Sequence, residues 1–112
     1  MSSKSMTEER WYMAKRYLHS MKRPPRSVMI CGHKIKIKVV DELFDGSTDL
    51  YGAYNGDTKT IFLVKHHDWK STLLHEMIHC VLHLTGAGEG IAMSKEEAIC
   101  ISLENSLSHF FF

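Results

Sequence analysis

The sequence predicts an α+β fold: an N-terminal helix, a small twisted sheet with a hairpin, a helix carrying His-Glu-x-x-His and a C-terminal helix. Three observations lead there. From Lys34 to Val40 lysine and apolar residues alternate with period two, the pattern of a strand wet on one face. Asn55-Gly56 separates two β-prone runs, a strong short-range hairpin signal. Apolar residues recur at three and four through residues 7–21, 68–85 and 94–109, as in helices packed on one side.

The chain of 112 residues is expected to form one domain, residues 1–112, with the polar segment 1–6 flexible. Its 44% hydrophobic and 24% charged residues are ordinary for a globular protein. No apolar run approaches the roughly 20 residues of a membrane span, and the N-terminus lacks the pattern of a secretory signal. No membrane partner is therefore expected. Cys31, Cys80 and Cys100 are scattered and form no Cys-x-x-Cys pair, which points to free thiols and a cytoplasmic location. The net charge of +1 hides an asymmetry. Residues 1–38 carry ten Lys/Arg against Glu8 and Glu9, whereas residues 39–112 carry four against eleven acids. Two oppositely charged parts packing together is the favoured reading; attraction of nucleic acid to the basic part is the weaker one.

In chain order, Trp11, Ala14, Tyr17, Leu18 and Met21 form the apolar stripe of a helix from Thr7 to Met21, with Thr7 as N-cap. Pro24-Pro25 then stops helical structure. Val28–Cys31 reads as a short strand, and Lys34–Val40 as a longer one with a solvated lysine face. Residues 41–49 read as loop or a single turn. Leu50–Tyr54 and Thr58–Val64 form the hairpin, with positive φ expected at both residues of the Asn-Gly turn. The motif helix runs from about Asp68, as cap, to Thr85, with Leu74, Ile78, Val81, Leu82 and Thr85 as its buried stripe and Gly86 beyond its end. After the glycine-rich link 86–90, a last helix runs from Ser94, as N-cap, to about His109.

The chemistry lies in His75-Glu76-x-x-His79. Residues four apart share a helix face, so both imidazoles can point at one ion, and Glu76 can reach a water bound to it as general base. Zn²⁺ suits such a site, with three protein ligands and one water. A third ligand is then needed. His83 fails, because it lies eight residues, about 12 Å along the axis, from His75. On the last helix, Ile99, Cys100, Leu103 and Leu107 mark the inward face, which favours Glu96; Glu97, rotated about 100° away, is the alternative. His109 falls on the other side of that helix.

A His75-Glu76-x-x-His79 motif followed by a glutamate on a later helix resembles the gluzincin branch of the zincin metallopeptidases. It is similar in particular to the compact ImmA/IrrE-like peptidases and small phage-encoded relatives, over roughly residues 50–108. The resemblance implies a minimal zincin fold in which an edge strand, Thr60–Val64, aligns an extended protein or peptide substrate across the metal. Leu73–His79 also resembles, more weakly, the SprT/Spartan proteases that act on DNA–protein crosslinks. The third ligand of that family comes from a downstream His-Gly stretch, and no histidine lies between His83 and His109.

The expected activity is zinc-dependent peptide hydrolysis. His75, His79 and Glu96 (or Glu97) hold the ion, Glu76 moves the proton, and Tyr51, Tyr54, His66 and His67 are candidates for steadying the oxyanion. Two alternatives stand beside it: a non-catalytic zincin scaffold gripping a regulatory or host protein, and a DNA-associated protease. A pure binder has no use for Glu76.

Overall fold

The computed structural model describes residues 21–66 and 68–111. The expected N-terminal helix lies outside these residues except for Met21, which packs against the core. The described chain is a small α+β fold with two helices and a mixed sheet. Strands β1 (Ser27–Ile30), β2 (His33–Val40), β5 (Gly52–Asn55) and β6 (Thr60–Val64) form a four-stranded sheet in the order β1-β2-β6-β5. A separate two-stranded ribbon, β3 (Phe44–Asp45) and β4 (Thr48–Asp49), stands where a loop was expected. Helix α1 (Trp69–Thr85) packs on the sheet, and helix α2 (Met93–Phe111) packs on α1. Among the described residues, no helix is long and apolar enough to cross a membrane.

The β2 alternation does what period two requires. Ile35 and Ile37 are buried, while Lys34, Lys36 and Lys38 are exposed. β6 differs because Ile61-Phe62-Leu63-Val64 is apolar without alternation, a composition suited to an interior strand. It pairs in parallel with β2 (Ile37 opposite Ile61) and antiparallel with β5 (Tyr54 opposite Ile61). Thr60–Val64 is therefore an inner strand. The sheet edge beside α1 is β5, because the chain returns from the hairpin between β5 and β2 rather than outside them.

The turns also depart from expectation. Asn55 is opposite Thr60, so residues 56–59 make a four-residue loop. Positive φ falls at Lys59 (50°), not at Asn55 or Gly56. Asn55 Oδ1 accepts the N–H groups of Asp57 (3.0 Å) and Thr58 (3.2 Å), and this side-chain bonding replaces the tight turn. The two-residue turn with positive φ at both positions is Cys31-Gly32 (51° and 79°), joining β1 to β2.

Ile30, Ile35, Ile37, Ile61 and Leu63 from the sheet meet Trp69, Leu73 and Cys80 of α1 in the core. Burying a leucine such as Leu73, 2% exposed, is worth about 2 kcal/mol. The sheet-facing stripe of α1 is Trp69, Leu73, Met77, Cys80 and Leu84, spaced four, four, three and four apart. It is rotated from the expected one: Val81 and Thr85 are exposed, although Ile78 is buried. Asp68 occupies the N-cap position, but its side chain makes no capping bond. α1 ends at Gly86, whose left-handed φ of 73° turns the chain and lets its N–H donate to the His83 carbonyl. α2 begins at Met93, which puts Ser94 inside its first turn.

Candidate metal centre

His75 and His79 stand one turn apart on the face of α1 that meets α2, their ring centroids 5.0 Å apart. Both Nε2 atoms face Glu97. His75 Nε2 lies 2.7 Å from Glu97 Oε1, and His79 Nε2 lies 3.0 Å from Glu97 Oε2. The opposite ring nitrogens face other carboxylates. His79 Nδ1 is 2.8 Å from Glu96 Oε2, and His75 Nδ1 is 3.5 Å from Glu104 Oε1.

That arrangement sorts the two candidate glutamates. Glu97 completes a group with His75 and His79 whose ligand atoms all lie within 4.8 Å of one another. Glu96 instead touches the far side of the His79 ring. The group of donor atoms around the two Nε2 atoms thus contains Glu97, the alternative, while Glu96 stands at His79 Nδ1. Leu103, counted on the inward face, is 39% exposed, whereas Glu104 beside it is half-buried. By burial the inward face runs through Glu96, Ile99, Cys100, Glu104 and Leu107, and Glu97, exposed at its rim, still reaches both Nε2 atoms. Glu104 escaped the sequence reading, yet its spacing of seven from Glu97, about two turns, is the signal that places both on one face.

A neutral imidazole has one N–H to donate, but each of these rings has a carboxylate at both nitrogens. A protonated ring donating from both nitrogens would satisfy the two carboxylates, and so would a cation held at Nε2, which would leave the neutral ring its Nδ1–H to donate outward and give Glu97 a positive charge to meet. Zinc–ligand bonds of about 2.0–2.2 Å put tetrahedral donors roughly 3.3–3.5 Å apart, against 2.7 and 3.0 Å from the two Nε2 atoms to Glu97 and at most 4.8 Å across the group. Two His nitrogens and one carboxylate fit a divalent cation.

Glu76 is buried, 8% exposed, and lines the cleft beside these groups. Burial pushes its carboxyl above the ordinary range; His79 and His75 pull it back, while Glu97 and Glu104 push it further up. Two glycines fit the surrounding chain to these side chains. A Cβ on Gly52 would lie 2.6 Å from Thr72 Cγ2 and 3.3 Å from Glu76 Cγ, so its absence lets α1 lie close against β5. A Cβ on Gly88 would lie 2.8 Å from Glu96 Oε1.

The cleft is bounded by β5, the β3–β4 ribbon, α1 and α2. Tyr51 and Tyr54 line it. Tyr54 Oη is 3.0 Å from His83 Nδ1, and its phenol is pushed up to about 12, first by burial and then by its hydrogen bond with Cys80. His83, excluded above as a third ligand, is thus the partner of Tyr54. Gly56 packs directly on its ring. His66 lies against the Tyr51 ring, 5.1 Å between centroids, and accepts the Asp68 N–H through Nδ1. His67 and the side chain of His109 lie outside the described residues. Compared with protein families, curated proteins and solved structures, the chain matches none.

Proposed function

We propose that this chain is a zinc-dependent hydrolase acting on peptide bonds, with His75, His79 and Glu97 as ligands and Glu76 as general base. The observation that carries the reading is the double carboxylate environment of both imidazoles, with Glu97 shared by the two Nε2 atoms and a buried glutamate alongside. This glutamate separates the reading from a purely structural or binding site, which has no work for it. When bound, zinc would lower the pKa of a coordinated water and polarise the substrate carbonyl. Glu76 takes the proton from the attacking water and returns it to the leaving amine. Burial raises its carboxyl above the ordinary range, the direction that favours accepting a proton. Glu96 keeps the His79 ring oriented by accepting its Nδ1–H, and Glu104 lies 3.5 Å from His75 Nδ1 on the corresponding side. Tyr54 lines the cleft wall with its hydroxyl held by His83, and would have to exchange that bond to reach the carbonyl oxygen. β5, as the sheet edge, offers backbone groups to an extended chain laid along the cleft.

The test is zinc content by elemental analysis together with cleavage of an unfolded protein, read by mass spectrometry, in wild type and Glu76→Gln. The expected result is one zinc per chain in both proteins and cleavage in wild type alone. Failure to bind a divalent metal, or full turnover in the variant, would sink the reading.

A further inference from the structure

The chain carries 14 Lys/Arg and 13 Asp/Glu, but among the described residues the cleft holds only the acids. Seven carboxylates line the cleft, and no Lys or Arg is among its described lining residues. Beyond the four acids of the centre, these are, among the described residues, Asp45 and Asp49 on the β3–β4 ribbon and Glu89 in the link to α2. The lysines of β2 are exposed on the opposite face of the sheet.

The acids are also ordered along the cleft. Gly52 packs on Thr72 and Glu76, and Gly56 packs on His83, so β5 and α1 run side by side in the same direction. The ribbon with Asp45 and Asp49 immediately precedes β5 and closes one end. Glu89 follows Gly86, where α1 stops, and closes the other. The candidate centre sits between them. At that centre Glu76, 8% exposed, makes no hydrogen bond or ion pair among the described residues. Phe44, Tyr51 and Met93 line the same cleft as exposed apolar surface.

We propose that the cleft selects an extended polypeptide with lysine or arginine side chains on both sides of the bond presented to His75 and His79. This inference rests on the hydrolase reading above and names its substrate class. A bound divalent ion offsets only two of the negative charges, and a cleft walled by protein focuses the field of the rest. Cationic side chains meet carboxylates at either end, while their methylene stems lie on Phe44, Tyr51 and Met93. A phosphate backbone is repelled from the same surface, so nucleic acid is not the occupant of this cleft.

The test uses zinc-loaded Glu76→Gln protein and two labelled peptides of equal length and apolar content. One carries lysines on both sides of its centre, and the other carries glutamines in those places. The lysine peptide is expected to bind roughly tenfold more tightly at low salt, with the gap closing as salt is raised. Adding Asp45→Asn, Asp49→Asn and Glu89→Gln, all at exposed positions, should narrow the gap without changing zinc content. Zinc-loaded protein that binds both peptides alike or binds neither, or a gap that survives the three substitutions, overturns the inference. A protein that takes up no zinc overturns the hydrolase reading itself, so the two failures are told apart by the metal assay.

Discussion

Glu96 Oε2 lies 2.8 Å from His79 Nδ1, on the side of the ring away from the Nε2 that faces the site centre. Glu96 is therefore placed to orient an imidazole, and its neighbour Glu97 to share a cation with that imidazole. Glu97→Ala should abolish stoichiometric zinc binding. Glu96→Ala should keep the metal but weaken its affinity by about 10–100-fold, the usual cost of losing a partner that orients a ligand. Elemental analysis and competition with a chelator measure both, and the reverse order would return the ligand role to Glu96.

Gly88→Ala tests the same contact from the other side. The added methyl would meet Glu96 Oε1 at 2.8 Å, and that atom is the free end of a flexible side chain. The fold should absorb the change with little loss of stability, while Glu96 is pushed from His79. Zinc affinity should fall as in Glu96→Ala with an unchanged urea midpoint. Unaltered affinity would show that Glu96 does not need this space.

Gly52→Ala should do the opposite, costing stability. Its methyl would meet Thr72 Cγ2 at 2.6 Å and the Phe62 carbonyl oxygen at 3.1 Å, neither of which can swing away freely. Overpacking of this kind costs about 1–3 kcal/mol. Thr72→Ser removes the nearer methyl and should restore part of the loss in the double variant, as denaturant titration would reveal. A Gly52→Ala protein as stable as wild type would mean that β5 and α1 separate easily.

The thiols give a prediction with a pH sign. Cys31 is exposed, while Cys80 and Cys100 are fully buried. Burial, reinforced by Glu97 and Glu96, pushes the Cys100 thiol from its ordinary 9.0 up to about 12. Burial also raises Cys80. Both thiols hold their protons longer in the folded chain than in the unfolded one. The associated stability is complete below pH 9 and is lost as the pH climbs from there towards 12. Urea midpoints should fall across that alkaline range. Near neutral pH a thiol reagent should label Cys31 at once and the other two only on unfolding; rapid labelling of all three would contradict the packing.

Local periodicity alone determined much of this molecule. Four-residue spacing put His75 and His79 on one face of a helix whatever surrounds it, and two-residue spacing exposed Lys34, Lys36 and Lys38 while burying Ile35 and Ile37. Gly86 ended the motif helix because a left-handed residue belongs there. Tertiary structure decided everything that depends on how one element meets another. Which of Glu96 and Glu97 faces both Nε2 atoms, and that Glu104 stands at His75 Nδ1, depends on how α2 packs on α1, since neighbouring helical residues differ by about 100°. Parallel pairing of β6 with β2, a non-local contact invisible to any window of sequence, moved Thr60–Val64 inside the sheet and left β5 at the edge beside the cleft. The segregation of charge needed the fold as well, because Asp45, Asp49 and Glu89 come together with the centre only after the ribbon, the link and both helices have closed around it.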